Sequence, residues 1–215
     1  MVDEKSSLNN QKKCFLRDNT IMEYIDYFGV LNTKQIYTLV ALHQTSGYRI
    51  VQRRMKSLVK RKKVKVIKDS PYVYYIDKKL KFVEHRIMTN WGYIFIKLYL
   101  LDKFEQIVGF SVEDDYGILR SDGFVTIKNP FTNKYRFIFI ETDLSNNTFD
   151  KIKKYNQLYA NELYTTKDWY KIADRFPEVL ILTHRITTVK NKIIVENKYG
   201  LEFKVYDIKE VLDKF

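Results

Sequence analysis

Three acidic residues in the second half of the chain have the types and the spacing of a metal-dependent catalytic site. Glu141 and Asp143 lie two positions apart in a strand-like run, so their side chains point to the same face. The runs on either side of Asn129–Asn133 are predicted to pair as a hairpin that places Asp122 roughly opposite Glu141. Converging carboxylates can hold Mg²⁺, which activates a water molecule against a phosphodiester. A one-residue slip in register would turn Asp122 to the other face. The alternative for all three acids is that they are surface residues at strand ends, or a relic that is used for contacts.

The elements that must position these acids follow a recognisable order. An apolar-rich helix is predicted first, then three strands, a second helix, a short apolar strand and a last hairpin. The predicted ranges are Glu84–Leu101, Gln106–Val112, Ile118–Lys128, Tyr135–Thr142, Thr148–Tyr159 and Val179–Thr183, with the hairpin formed by Lys192–Asn197 and Leu201–Tyr206. The order α-β-β-β-α-β resembles the core of restriction-endonuclease-like nucleases, and the three acids lie where that resemblance requires them.

One position departs from the nuclease pattern. The pattern has a lysine two residues after the glutamate, and this chain has Asp143 there. A carboxylate cannot supply the positive charge that stabilises a phosphoryl transition state. Lys151 or Lys154, on the following predicted helix, would have to replace it. We therefore expect DNA binding without cleavage and no required cofactor, with Mg²⁺ relevant only if the site is active.

The segment Gln44–Lys68 contains ten Lys or Arg and no Asp or Glu. Val51, Met55 and Leu58 recur at helical spacing and are predicted to face a core, which leaves a face of Arg, Gln and Lys exposed. Such a helix can enter a DNA major groove, where Arg suits guanine and Gln suits adenine. The alternative is a solvated lysine-rich surface helix. The predicted DNA-binding residues are Thr45, Ser46, Tyr48, Arg49, Gln52 and Arg53 near the helix start, and Lys56, Lys60, Arg61, Lys62, Lys63, Lys65 and Lys68, which are assigned to phosphates.

The elements around the basic helix predict a winged helix-turn-helix. A helix capped near Asp18 is expected to end at Gly29, and a second helix, capped by Asn32 or Thr33, precedes the basic helix. Two β-rich runs, Val64–Lys68 and Tyr72–Ile76, are predicted to form a hairpin (the wing) around Asp69-Ser70-Pro71. The sequence thus predicts an α+β protein with a flexible tail over 1–17, a winged helix over 18–83 and a nuclease-like α/β domain over 84–215.

The charge is concentrated in the first part of the chain. Of the net charge of +12, residues 1–83 carry +11 (18 Lys or Arg against 7 Asp or Glu) and residues 84–215 carry +1. This division predicts that the first part binds a polyanion. The sole cysteine, Cys14, excludes an internal disulfide and indicates a reducing cytosol. The polar start predicts no signal peptide, and no apolar run reaches the ~20 residues of a membrane span.

The chain resembles the replication-relaxation family of plasmid-encoded replication and mobilisation proteins. The resemblance runs from about Asp18 to Leu212 and includes the predicted winged helix. Its further motifs are Glu84–Asn90, Arg120–Gly123, Phe139–Asp143 with Lys151–Tyr155, and Phe176–Leu180. Ser121 departs from the proline that commonly precedes the aspartate in that family. The resemblance implies double-stranded origin DNA as the ligand, and a relaxase or replication initiator as a partner.

Three functions are consistent with the sequence. The first is a sequence-preferring double-stranded DNA-binding protein of a mobile element, acting at an origin in replication or relaxosome assembly. The second is a metal-dependent endonuclease that is targeted by its winged helix. The third is a transcriptional repressor whose second domain senses a ligand or forms a homodimer.

Overall fold

The computed structural model describes residues 2–69, 71–77, 80–144, 148–173 and 175–215, with side chains from Phe15 onwards. It is a mixed α+β structure that divides into two compact units, Met1–Asn90 and Trp91–Phe215. The division lies seven residues beyond the boundary predicted from the sequence, inside a helix. No helix within the described ranges is both long and apolar enough to cross a membrane.

The described part of the first unit contains three complete helices. They are α1 (Val2–Phe28), α2 (Thr33–Val40) and α3 (Gly47–Lys60). Helix α1 extends through the segment that was predicted to be a flexible tail. Residues 2–17 contain neither glycine nor proline, so nothing in them interrupts the helix that continues to Phe28. Gly29, at a φ of +74°, ends it as predicted.

Helix α2 begins with a capping box. The side chain of Asn32 accepts a hydrogen bond from Gln35 N at 2.8 Å, and Asn32 N donates to Gln35 Oε1 at 3.1 Å. Asn32 is therefore the cap, which resolves the choice between Asn32 and Thr33. The position before α3 differs, because Ser46 has a left-handed backbone and its side chain makes no capping hydrogen bond.

A small antiparallel sheet completes the first unit. Its strands are β1 (Leu31–Asn32), β2 (Lys65–Ile67) and β3 (Val73–Tyr75), in the order β1-β3-β2. The predicted hairpin is present as the β2–β3 pair, in which Val66 is opposite Tyr74. Ser70 of its predicted turn lies outside the described residues. The sequence did not predict β1, which is only two residues long.

The second unit is built on a mixed five-stranded sheet in the order β4-β5-β6-β7-β8. Helix α4 (Val83–Phe95) crosses from the first unit and continues as a π-helical turn, Ile96–Leu100. The strands are β4 (Gln106–Val112), β5 (Gly123–Asn129), β6 (Lys134–Asp143), β7 (Glu178–Thr183) and β8 (Phe203–Asp207), and the helices are α5 (Lys151–Ala160), α6 (Ile186–Glu196) and α7 (Ile208–Leu212). The β4–β5 and β5–β6 pairs are antiparallel, whereas β6–β7 and β7–β8 are parallel.

Two predicted strand ranges were wrong in this unit. The predicted hairpin of Lys192–Asn197 and Leu201–Tyr206 is absent, because most of its first arm belongs to α6 and its second arm is β8, which runs parallel to β7. Two adjacent parallel strands need a crossover connection, and α6 provides it. The strand predicted from Ile118 begins only at Gly123, since the residues before it form an irregular loop with one bridge between Asp115 and Arg120.

The two faces of strand β6 pack against different partners. Ile140 faces Gly92 of α4, where an added Cβ would lie only 2.8 Å from Ile140 Cγ2. Phe137 and Phe139 face the opposite way, into a core that includes Tyr155 of α5. Glu141 continues this second row, so the period-two alternation of β6 directs its carboxylate towards α5.

Candidate functional site

Asp122 and Glu141 meet at the end of the β5–β6 pair. Gly123 lies opposite Ile140 in the antiparallel register, so the next position places Asp122 opposite Glu141, as predicted. Asp122 Oδ2 accepts a hydrogen bond of 2.7 Å from Thr142 N, which anchors this carboxylate to the neighbouring strand. Two acids that are 19 positions apart in the sequence are therefore held side by side by strand pairing.

Lys151, the first residue of α5, supplies the cation between them. Its Nζ lies 2.7 Å from Glu141 Oε2 and 3.7 Å from Asp122 Oδ1, and it also donates to Arg120 O at 2.7 Å. Of the two lysines that the sequence offered, the structure places Lys151 at the acids. Lys154 lies one turn later on α5 and pairs instead with Asp150 at 2.9 Å.

The Glu141 carboxyl group is buried completely and its protonation is perturbed. Burial is the main cause, and the negative charge of Asp122 adds to it, so the pKa of Glu141 rises to about 8. Lys151 and the hydroxyl of Tyr155, which donates to Glu141 Oε1 at 2.6 Å, oppose the rise without cancelling it. Burial would lower the pKa of Lys151, but the two acids outweigh it and raise that pKa, which keeps the ammonium charged.

Asp143 does not join these groups. Its carboxylate pairs with Arg185 at 2.7 Å and accepts a hydrogen bond of 2.8 Å from Thr183 Oγ1. The parallel register places Asp143 beside Thr183, and Arg185 follows two residues later. The residues at the end of β7 therefore bind the Asp143 carboxylate. Of the two or three carboxylates that were predicted to converge, the structure brings Asp122 and Glu141 together, whereas Asp143 pairs with Arg185. Within the described ranges, no group of three or more His, Cys, Asp or Glu side chains is arranged to hold a metal ion.

The donor set that remains is still compatible with Mg²⁺. Asp122 and Glu141 both face the Lys151 ammonium, so the two carboxyl groups are directed at a common point. Mg²⁺ is commonly held by one or two carboxylates together with water and substrate phosphates. The two acids would therefore be the ligands if a metal binds here, and Asp143 would not.

Helix α3 presents a second group of candidate residues in the first unit. Val51, Met55 and Leu58 are buried, as predicted from their spacing. The opposite face is exposed and carries predicted DNA-binding residues, namely Tyr48, Arg49, Gln52, Arg53, Lys56 and Lys60. Thr45 and Ser46 before the helix and Lys62, Lys63 and Lys68 after it are exposed as well.

Two residues of the predicted basic surface have partners within the protein. Arg61 pairs with Asp18 of α1, which also binds Arg54 through two hydrogen bonds, one of them 2.7 Å long from Arg54 Nε to Asp18 Oδ1. Lys65 Nζ donates to Asp77 O at 2.6 Å. Internal acceptors thus engage one donor group of each residue, both side chains stay exposed, and their assignment to phosphates remains a prediction. No local pattern indicated the pairing of Arg61, since Asp18 lies 43 residues away.

The fold and the two groups of residues define a two-unit α+β protein with a five-stranded mixed sheet. No protein-family model and no curated protein matches the chain. Similar solved structures include the restriction endonuclease FokI bound to DNA, with a TM-score of 0.34 and 12% identity, and FokI alone, with a TM-score of 0.34 and 11% identity. Each comparison covers 92% of this chain, which spans 43% of the FokI chain.

Proposed function

We propose that the chain is a sequence-preferring double-stranded DNA-binding protein whose first unit is a winged helix. The exposed basic face of α3 is the observation that carries this proposal. Between Gln44 and Lys68 ten positive charges occur with no acidic residue, while the apolar side of α3 is buried. An exposed helix face with this composition has the shape and charge of a major-groove reader.

The order of elements supports the same assignment. Three helices are followed by the antiparallel β2–β3 pair, which is the order of a winged helix with β2–β3 as its wing. Arg49, Gln52 and Arg53, in the first turns of α3, are assigned to base edges. The exposed Lys56, Lys60, Lys62, Lys63 and Lys68 are assigned to phosphates.

The biological setting that we propose is an origin on a mobile element. It rests on the resemblance to the replication-relaxation family in the residues quoted above. In that setting the protein binds origin DNA during replication or relaxosome assembly, with a relaxase or replication initiator as partner. DNA binding by α3 requires no cofactor.

Fluorescence anisotropy with duplex DNA from the element's own origin tests this function. The Arg49→Ala, Arg53→Ala double variant should bind at least tenfold more weakly than the wild type at fixed salt. Lys190→Ala is the matched control, because Lys190 is exposed on α6 of the second unit. An equal affinity of the double variant and the wild type would contradict the assignment of α3.

A second candidate function is metal-dependent DNA cleavage, and the position of Lys151 favours it. We expected Asp143 to prevent catalysis because it occupies the lysine position of the nuclease pattern. Arg185 neutralises Asp143, whereas Lys151 brings a positive charge to Asp122 and Glu141. In this proposal the second unit is a restriction-endonuclease-like core, and its two acids would hold Mg²⁺, which supplies an activated water when bound. Lys151 would then stabilise the negative charge that develops on the phosphate.

Supercoiled origin plasmid with Mg²⁺ or Mn²⁺ separates the two candidates. Cleavage predicts nicked product with the wild type and none with the Asp122→Ala, Glu141→Ala double variant or with Lys151→Ala. Lys154→Ala is the matched control, because Lys154 is on the same helix and pairs with Asp150 outside the site. Intact plasmid with the wild type would eliminate the second candidate and leave DNA binding alone.

A further inference from the structure

Two phenylalanine rings form an exposed pair in the second unit. Phe104, in the loop before β4, and Phe131, in the turn between β5 and β6, meet edge to face with ring centroids 4.9 Å apart. They are 51% and 79% exposed. Aromatic rings contribute most when they are buried, so a pair left in water at a turn has no role in the core of this unit.

The turn that carries Phe131 is held by its own hydrogen bonds. Asn129 Oδ1 accepts from Phe131 N at 3.0 Å and from Thr132 N at 3.2 Å, and Asn133 takes a left-handed backbone with a φ of +53°. Asparagine closes turns in this way and tolerates positive φ. The position of Phe131 is therefore fixed by the backbone and not by burial of its ring.

The loop that carries Phe104 is fixed as well. Asp102 N donates to Glu105 Oε2 at 3.0 Å, and the Glu105 carboxylate binds Arg136 of β6 at 2.7 Å. Both rings are thus presented by ordered backbone. Rings that are held in this way lose little conformational entropy when a flat ligand stacks on them.

The surroundings of the pair are basic. Lys103 Nζ lies 5.4 Å from the centroid of the Phe104 ring, and Lys128 Nζ lies 5.2 Å from that of Tyr135. Lys134 is exposed at the start of β6. Of the nearby acids, Glu105 is already neutralised by Arg136, and Asp102 is exposed. A ligand that combines flat apolar faces with negative charges would match this surface, and single-stranded nucleic acid combines the two.

We propose that Phe104 and Phe131 form a stacking site for the bases of single-stranded DNA, with Lys103 and Lys134 contacting the phosphates. Duplex DNA fits less well, because its base faces are already stacked. The stacking site differs from the site formed by Asp122, because strand β5 separates the two. Strand β5 begins directly after Asp122 and ends at the turn that carries Phe131. A strand of this length spans on the order of 20 Å. The stacking site also lies outside α3, so the proposal does not depend on duplex binding by the first unit.

Anisotropy with two labelled strands of equal length tests the stacking site on the full chain. One strand is oligothymidylate, and the other is an abasic strand with the same phosphates. The Phe104→Ala, Phe131→Ala double variant should bind oligothymidylate about tenfold more weakly than the wild type and bind the abasic strand as the wild type does. Phe131→Tyr should keep wild-type affinity for both strands, because it retains the aromatic ring.

The controls exclude loss of folding and a general loss of exposed apolar surface as explanations. Ile194→Ala removes an apolar side chain that is 81% exposed on α6, and it should leave binding of both strands unchanged. Thermal unfolding of the double variant should match that of the wild type, since both rings are exposed. Unchanged affinity of the double variant for oligothymidylate would overturn the proposal and indicate a protein-docking surface. Equal losses on both strands would also overturn it, because stacking requires bases.

Discussion

Lys151 Nζ lies 2.7 Å from Glu141 Oε2, so a lysine ten residues after the glutamate provides the charge that position 143 lacks. The contact depends on α5 starting at residue 151, which directs this side chain back to the end of β6. The nuclease pattern places its lysine on the strand, two residues after the glutamate. A lysine on the following helix can thus bring an ammonium group to the same carboxylate. The local departure at Asp143 does not by itself remove the cation from the site.

The pKa of Glu141 predicts that the stability of the second unit decreases as the pH rises. The folded-state pKa of about 8 is above the ordinary 4.5, so the folded state holds the proton more tightly than the unfolded chain. The stabilisation is complete below about pH 4.5 and is lost as the pH rises through about 8. Urea unfolding should show a decrease on the order of a few kcal/mol between about pH 5 and about pH 9 in metal-free buffer.

Tryptophan fluorescence can follow the unfolding of the second unit at each pH, because both tryptophans, Trp91 and Trp169, belong to that unit. Glu141→Gln, which carries no titratable proton, should flatten the pH dependence. Glu210→Gln, at an exposed position of α7, is the control and should retain it. A slope that survives Glu141→Gln would assign the pH dependence to other groups.

Asp18 predicts a second stability effect, this time in the first unit. Burial alone would raise the pKa of Asp18, but hydrogen bonds from Arg54 and Arg61 outweigh it and hold the pKa below its usual 3.8. The stabilisation that Asp18 gives the folded state is therefore present above about pH 3.8. It is lost as the pH falls through the lower pKa that Asp18 has in the folded state. Asp18→Asn should destabilise the unit by about 1–3 kcal/mol at neutral pH, a range reduced for the partial exposure of both arginines.

Circular dichroism during urea unfolding can follow the loss of helix in this variant. Asp26→Asn is the matched control, because Asp26 lies on the same helix α1 with an exposed side chain. The two variants remove the same charge, so only a pairing effect distinguishes them. Equal midpoints for Asp18→Asn and Asp26→Asn would mean that the arginine pairs contribute nothing measurable.

The charge division predicts that duplex binding belongs to the first unit, which ends at Asn90 in the structure. Gln35 Nε2 donates to Ile87 O and Asn90 Nδ2 donates to Val30 O, each at 2.7 Å, so residues 84–90 complete this unit. A fragment of residues 1–90 should bind duplex DNA with an affinity that falls steeply with salt. A fragment of residues 91–215 should bind the same duplex poorly, and comparable affinities would show that the division is wrong.

The sequence predicted the elements whose patterns are set locally. Strands β4 and β7 have the predicted ends to within one residue, because alternation or a continuous apolar run marks them. The α6 segment misled the prediction, since Ile193, Ile194 and Val195 are β-branched and typical of a strand. The need for a crossover between two parallel strands outweighed that preference, and no local pattern reveals it.

The sequence predicted which acids meet in the candidate site, but it did not predict the contacts that those acids make with distant residues. Strand pairing brought Asp122 to Glu141 as expected, yet the choice between Lys151 and Lys154 required the start of α5 and the pairing of Lys154 with Asp150. The partner of Asp143 could not be inferred, because Arg185 is 42 residues away and has no motif around it. Long-range ion pairs of this kind are set by packing, which a single sequence does not specify.

The last prediction separates reading of bases from attachment to phosphates. Arg53 is exposed on the second turn of α3, where the side chains of a recognition helix would reach base edges, whereas Lys62 is exposed beyond the end of the helix. Arg53→Ala should cost about 1–3 kcal/mol of binding free energy on the cognate duplex and relax the preference at one base pair. Lys62→Ala should weaken binding to the cognate and scrambled duplexes alike and reduce the salt dependence of binding by about one phosphate contact.

Both variants are measured against both duplexes at several salt concentrations. Equal losses on the two duplexes for Arg53→Ala would assign Arg53 to the phosphates and leave base recognition to other residues of α3.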